Sequence, residues 1–443
     1  MSAHKDARDR LLELQAGIAA QRRGEPGWLA RLRAESRERF AERGLPDTRQ
    51  EEWRYTSLAE LSRQRFERSA PGARLSRADL ESAAFPVFAC SLSAFVDGVH
   101  DPQLSGLSPG RDVHVESLAR ALARGEPALE AHLGRFADTK LHPFAALNTA
   151  CLEDGAFLHV PRETSAAEPL HVVFAAAPGA GTVRHPRLLV VAEAGSRACA
   201  IVDFVSLAGA AGFTNAVVEV QVGPGAGVDL VILQREAPGA FHVANLAVWQ
   251  ERDSRFACHT LSLGGRLVRN DASVLLADEG ADCTLRGLFV GGGEQVLDNH
   301  TLVDHAVPFG TSRELYKGIL GGASRGVFRG RVIVRPDAQK TNASQSNRNL
   351  LLSATAEVDS KPQLEIRADD VRCSHGTTIG QLDPDALFYL RSRAIAEPEA
   401  RELLTRGFAA DILAALPVPA LAEGLDAAVD ASLARAGGRE PLR

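Results

Sequence analysis

The stretch "DVRCSHGTTIG", residues 370–380, puts a thiol and an imidazole two positions apart, at Cys373 and His375. Both are ligands for soft or borderline metals, and together they are also the raw material of a nucleophile–base pair. On a strand, i and i+2 share a face. With "PQLEIRADDVRCSHG" taken as one edge strand, Glu365, Arg367 and Asp369 fall on the face of Cys373 and His375. Leu364 and Ile366 then fall on the other. Two ligands leave a tetrahedral metal site half empty, so a metal role requires a partner to supply the rest. A Cys/His dyad is less favoured, because i, i+2 neighbours seldom reach attack geometry and no third residue orients them. An ordinary patch of strand is the remaining alternative. His300 and His305, in "DNHTLVDHAVPFG", are five apart and point to opposite faces of a strand. They read as polar or core histidines unless the chain turns between them.

The chain lacks a GxxxxGK[ST] phosphate loop, a GxSxG elbow and an HExxH zinc motif. Its glycine clusters "GGASRG" and "VGGGEQ" sit in strand-and-turn context. Three textures follow one another. Residues 1–150 are mixed and helical: "DRLLELQAGIAAQ" has Leu11, Leu12, Ile18 and Ala19 at helical spacing, and "GWLARLRAESRERFAERG" closes on Gly44, a helix stop. "LARALARGEPALEAHLGRF" reads as a helix pair broken at Gly125–Pro127.

Residues 151–376 are Val/Leu-rich runs punctuated by Gly, Asp and Asn about every ten residues, a strand-and-turn pattern. More than 200 residues of it with no helices between argues for a β-solenoid over a large sandwich. Residues 377–443 return to helix. Asp383 and Pro384 are an N-cap and first-turn proline, Pro398 opens a second helix, and Leu421, Leu425, Val429 and Leu433 recur at i+4 in a third.

Of the 443 residues, 45% are hydrophobic and 24% charged, with net charge −6, as in an ordinary globular protein. The acidic balance argues against nucleic acid as a main partner. No run reaches the ~18 apolar residues of a membrane span. The N-terminal stretch is charged, with no signal-peptide core, so a cytoplasmic location is expected. Six cysteines, with no CxxC, read as free thiols.

Residues 344–401 carry a long, ordered set of motifs: N-L-L-L-S, K-P-Q-L-E-I, A-D-D-V-x-C-S-H-G and F-Y-L-R-S-R. This resembles the C-terminal half of the SufB/SufD family of the SUF iron–sulfur cluster assembly system. "GLPDTRQEEWRYTSL" at 44–58 is similar to that family's N-terminal signature, and "VDHAVPFGTSRELYKGIL" with "SRGVFRGRVIV" to its core signature. The SufB branch has a cysteine where this chain reads Gln345-Ser346-Asn347-Arg348, and an acidic residue at Gly376. Both departures favour the SufD branch.

The resemblance implies a right-handed parallel β-helix with helical N- and C-terminal domains. It implies a non-catalytic scaffold that pairs with SufB and holds the SufC ATPase through its C-terminal helices. A homodimer is one form open to the chain when it is expressed alone. Iron or a nascent cluster would be shared transiently at the SufB interface, with His375 at that interface and nothing held firmly by the isolated chain. Cys373 matches a family cysteine whose role is open between ligand and structural thiol. The expected ATPase face includes Leu387, Phe388, Leu390, Leu404 and Phe408, at least half of them packing internally. Removal of residues 383–443 is expected to leave the β-helix folded. Two other function classes compete. A β-helical carbohydrate-cleaving enzyme would need paired carboxylates in a groove, and the adjacent Asp369 and Asp370 point apart. A standalone metal binder would use Cys373, His375, His300 and His305.

Overall fold

Seventeen strands build a β-solenoid in the computed structural model, which describes residues 2–19, 25–68, 75–84, 91–106, 113, 115–207 and 210–437. They are β1 (Ser91–Val96), β2 (Ala156–Val160), β3 (Leu170–Ala176), β4 (Arg187–Ala192), β5 (Arg197–Ser206), β6 (Ala210–Val222), β7 (Gly227–Arg235), β8 (Phe241–Gln250), β9 (Arg255–Ser262), β10 (Leu267–Leu276), β11 (Asp282–Gly291), β12 (Val296–His305), β13 (Thr311–Leu320), β14 (Arg325–Val334), β15 (Asn342–Leu351), β16 (Glu357–Ile366) and β17 (Arg372–Gly380). Each even strand pairs with the next even strand and each odd with the next odd, all in parallel. One coil therefore lays one strand on each of two facing sheets. From β2 onward, paired positions in successive coils lie 26 to 32 residues apart, as for Phe241 and Leu267 or Arg325 and Glu357.

Helices cover both outer faces. The first is α1 (Ser2–Ala19), followed by α2 (Gly27–Arg43), which ends on Gly44 at φ 63° as the sequence reading expects. Next come α3 (Pro143–Cys151), α4 (Pro384–Ser392), α5 (Glu397–Ala414) and α6 (Pro419–Ala436). Short helices at Leu118–Ala123 and Pro127–His132 flank the break at Gly125. Asp383 caps α4, its carboxylate accepting the Asp385 N–H at 2.9 Å. Side chains inside the two sheets form one apolar interior. Outside the odd sheet, Leu421, Leu425, Val429 and Leu433 of α6 pack on Val231, Leu261, Leu288 and Ile319. Outside the even sheet, Phe40, Trp53, Phe144 and Leu147 pack on Phe213, Phe241 and Leu267. With both faces buried, strands read as continuous apolar runs rather than alternating ones. The close fit of α6 also depends on glycine: a Cβ at Gly321 would lie 1.6 Å from the Ala436 carbonyl oxygen.

This packing bears on one expectation. Residues 409–436 lay Ala409, Ile412, Leu421 and Leu425 on the odd sheet, so a truncation at 383 would strip that apolar cover. Such a truncation would expose a contiguous apolar face.

A buried ion pair ties the N-terminal region to the coils. Arg187 of β4 and Glu219 of β6 are both fully buried and bonded to each other. Glu219 also accepts the N–H groups of Gly134, Phe136 and Ala137 at 2.9–3.0 Å. Burial works against its charge, but Arg187 and those three donors hold its carboxyl below the ordinary value. Glu219→Ala leaves Arg187 charged and unpaired, so it should lower unfolding free energy by about 3–5 kcal/mol. Denaturant titration measures this, and an unchanged midpoint would contradict it.

Candidate functional site at the last coil

Cys373 and His375 lie on β17, the last strand of the odd sheet. The single edge strand read from the sequence is two strands. The chain turns between Ile366 and Arg372, with Arg367 N–H donating to the Val334 carbonyl (2.9 Å) and Arg372 N–H to that of Thr341 (2.8 Å). Glu365 therefore sits on the even sheet, where its carboxylate takes Arg331 at 2.7 Å, and does not share a face with His375. Asp369 and Asp370 are exposed in the turn, and Asp370 takes Lys340. No Gly or Pro marks residues 367–371, which is why parity ran on through the turn.

Register defines what lies beneath the two residues. Cys373 tops the interior column Val228–Phe256–Cys283–Ser312–Ala343. Its half-buried thiol packs among Val332, Val334, Ala338, Ala343 and Ala368. Burial raises the thiol pKa, so it stays protonated at neutral pH and is a poor ligand unless a metal displaces the proton. His375 tops the column Leu230–Cys258–Leu285–Glu314–Gln345. Its imidazole is exposed and makes no hydrogen bond to any described residue. An exposed, unbonded imidazole is available for metal coordination; its neighbour Cys373 is chemically less so.

The interior turns polar towards this end. Glu314 is fully buried and accepts from Thr301 Oγ1 (2.7 Å) and Gln345 Nε2 (3.1 Å). Ser360 Oγ donates to Asn347 Oδ1 at 2.8 Å and lies 2.8 Å from Thr377 Oγ1, joining β16 to β17 across the interior. Burial pushes the Glu314 carboxyl up from about 4.5 to about 7. The folded state thus holds a proton that the unfolded state releases above about pH 4.5. That stabilisation is complete below pH 4.5 and is lost as pH rises through 7. Glu314→Gln should therefore match the parent near pH 5 and exceed it by roughly 2–3 kcal/mol near pH 8. Unfolding titrations at the two pH values test this, and parallel curves for parent and variant would contradict it.

The other histidines serve elsewhere. His300 faces outward on β12 and bonds Asp298 at 2.9 Å, within a cluster that includes Arg269, Asp271 and Glu52. Burial opposes its charge, but Asp298 outweighs this and its pKa is raised. His305 points inward, buried, 2.9 Å from Ser312 Oγ. The structure does not bring His300, His305, Cys373 and His375 together, and among the described residues no group of three or more His, Cys, Asp or Glu side chains is placed to hold a metal. The five described cysteines are free thiols; Cys90 lies outside the described residues.

The last coil and the first two C-terminal helices each carry exposed large apolar side chains. Phe388 is 72% exposed and Leu403 47%, with Tyr389, Ile366 and Ile379 also exposed. Leu387, Leu390 and Leu404 are half-buried. Phe408 turns to the solenoid: Lys317 Nζ lies 4.7 Å from its ring and donates to its carbonyl at 2.9 Å. Tyr389, Leu403, Ile366 and Ile379 are exposed apolar residues outside the set expected from the sequence. No described helix is long and apolar enough to cross a membrane.

Comparison with known proteins agrees with this architecture. Residues 174–408 match the model for the SUF system FeS cluster assembly, SufBD core domain, and residues 17–172 match the SufBD protein N-terminal region. An iron–sulfur cluster assembly SufBD family protein of Synechocystis is 33% identical over 85% of both chains. The iron–sulfur cluster assembly protein SufD of Escherichia coli K12 is 33% identical over 90% of both, and SufD of Bacillus subtilis 29% identical over 65% of this chain and 66% of its own. With the core-domain match alone taking in more than half of the sequence, and with a parallel solenoid flanked by helices to carry it, the chain belongs to the SufBD family of SUF iron–sulfur cluster assembly proteins.

Proposed function

We propose that this chain is the SufD-type scaffold subunit of a SUF assembly complex in the cytoplasm. It pairs through its last coil with a SufB-type subunit and carries a SufC-type ATPase on its C-terminal helices. Iron or a nascent cluster is the cargo, and His375 is this chain's ligand to it, with the remaining ligands supplied by the partner. Cys373 contributes packing first and a ligand only if cargo binding displaces its proton.

One observation carries the reading: β16 and β17 end the solenoid with unpaired edges, and the imidazole of His375 stands exposed between them and solvent. An uncovered edge strand is a template for pairing with another chain. A lone exposed ligand beside such an edge is chemically useful when that other chain completes the coordination. The exposed side chains of Phe388, Tyr389 and Leu403 have the apolar, aromatic character of an interface core, suited to the ATPase. Nucleotide hydrolysis then belongs to that partner, in keeping with the missing phosphate loop.

Co-expression of the chain with a SufB-type and a SufC-type protein tests the assignment. The expected result is a complex that holds its stoichiometry through size-exclusion chromatography. A chain that elutes alone from both would sink the proposal.

A further inference from the structure

A cavity of about 420 Å³ lies between the N-terminal region and the outer face of the even sheet, whereas Cys373 and His375 belong to the odd sheet. That volume is in the range of small-molecule sites. Trp53 and Phe144, with ring centroids 5.6 Å apart, form part of its apolar wall. Three features of this wall are unexplained by packing.

The first is Asn245 on β8. It lines the cavity, is only 5% exposed, and neither atom of its side-chain amide has a hydrogen-bond partner. A buried, unsatisfied amide costs on the order of 1–3 kcal/mol, which a bound molecule would recover. The second is the start of α3. Residues Pro143–Ala145 open onto the cavity, and the N-cap residue His142 makes no side-chain cap. Uncapped first-turn N–H groups and the helix dipole favour an anion there. The third is cationic. Arg43 makes no ion pair with a described residue, and Arg331 holds Glu365 through Nε and Nη2 only. Arg269, by contrast, is fully engaged by Asp271, Asp298 and the Glu52 carbonyl, so it shapes the wall and is not a free donor.

We propose that this cavity binds a small amphipathic organic anion. Its apolar ring packs against Trp53 and Phe144, and the Asn245 amide reads a polar edge of that ring. A carboxylate, sulfonate or phosphate end meets the start of α3 and the Arg43 and Arg331 guanidinium groups. The cavity lining includes neither Cys373 nor His375, so its occupancy does not depend on the cluster-assembly reading.

Calorimetric titration of the full chain with 1-anilinonaphthalene-8-sulfonate, a ring carrying one anionic group, tests the proposal. Inorganic pyrophosphate and toluene serve as anion-only and ring-only probes. The expected result is one saturable dye site per chain, with both control probes at least tenfold weaker. The Arg43→Glu, Arg331→Glu double variant should weaken the dye at least tenfold. Ser273→Trp, which projects from the β10 wall into the cavity, should abolish dye binding, and Asn245→Leu should weaken it without lowering the melting temperature. Should Ser273→Trp fail to fold, the Asn245 and arginine variants decide the matter. Pyrophosphate binding as tight as the dye's, no saturable site, dye binding unaffected by these variants, or dye binding lost instead in Phe388→Ser would each overturn the proposal.

Discussion

His375→Ala in cells that depend on this chain for cluster assembly should cut iron–sulfur enzyme activity by roughly 10–100-fold, the range seen when a metal site loses a supporting group. The variant chain should still fold and still enter its complex. The imidazole is exposed and makes no hydrogen bond to a described residue, so its removal should change stability by no more than about 0.5 kcal/mol. Assembly failure with an intact complex is therefore the signature of a lost ligand rather than a lost fold. Cys373→Ala in the same assay separates ligand from packing. An effect as large as that of His375→Ala would place the thiol in the cargo site. A small effect, with a modest loss of stability, would leave it as the apolar cap of its column. Normal enzyme activity with His375→Ala would remove His375 from the site.

Phe388→Glu combined with Leu403→Glu should release the ATPase subunit. Both side chains are among the most exposed large apolar groups of the molecule. Central interface anchors of this kind contribute about 2 kcal/mol each, so the double variant should weaken binding by about a thousandfold. The solenoid should be unaffected, since neither residue belongs to its apolar clusters. Leu425→Asp is the contrasting change: it buries a charge under α6 against the odd sheet and should unfold the C-terminal cover. An affinity pull-down reads the first outcome and a melting curve the second. Full retention of the ATPase by the double variant would move the docking face elsewhere.

These two tests replace the truncation that the sequence alone suggested. Leu421, Leu425, Val429 and Leu433 announce an apolar stripe by their i+4 spacing, but spacing does not say what the stripe covers. The answer lies in Val231, Leu261, Leu288 and Ile319, one from each of four successive coils and more than 100 residues upstream. Strand-and-turn texture was enough to recognise a solenoid, because each coil repeats the same local chemistry. Helix ends were readable for the same local reason, as at Gly44 and Asp383.

The columns were harder to see. Glu314, Gln345 and His375 stack only because the coils take 31 and then 30 residues between them. A register error of one residue would have turned every side chain to the other face. The turn at 367–371 carries neither Gly nor Pro, so alternation from Glu365 to His375 looked continuous when the chain was in fact crossing from one sheet to the other. That crossing leaves His375 with Gln345 beneath it and, among the described residues, no metal-binding group of three or more side chains, so the proposed cargo site draws its other ligands from a second chain.

Iron counting on the purified complex tests whether the cargo site is split between two subunits. The parent and His375→Ala chains are each co-purified with their SufB-type and SufC-type partners and loaded anaerobically with iron and sulfide. The isolated parent chain is treated alongside. Iron should be retained by the parent complex, with little held by the His375→Ala complex and little by the isolated chain. Equal iron in both complexes, or full loading of the isolated chain, would contradict a split site.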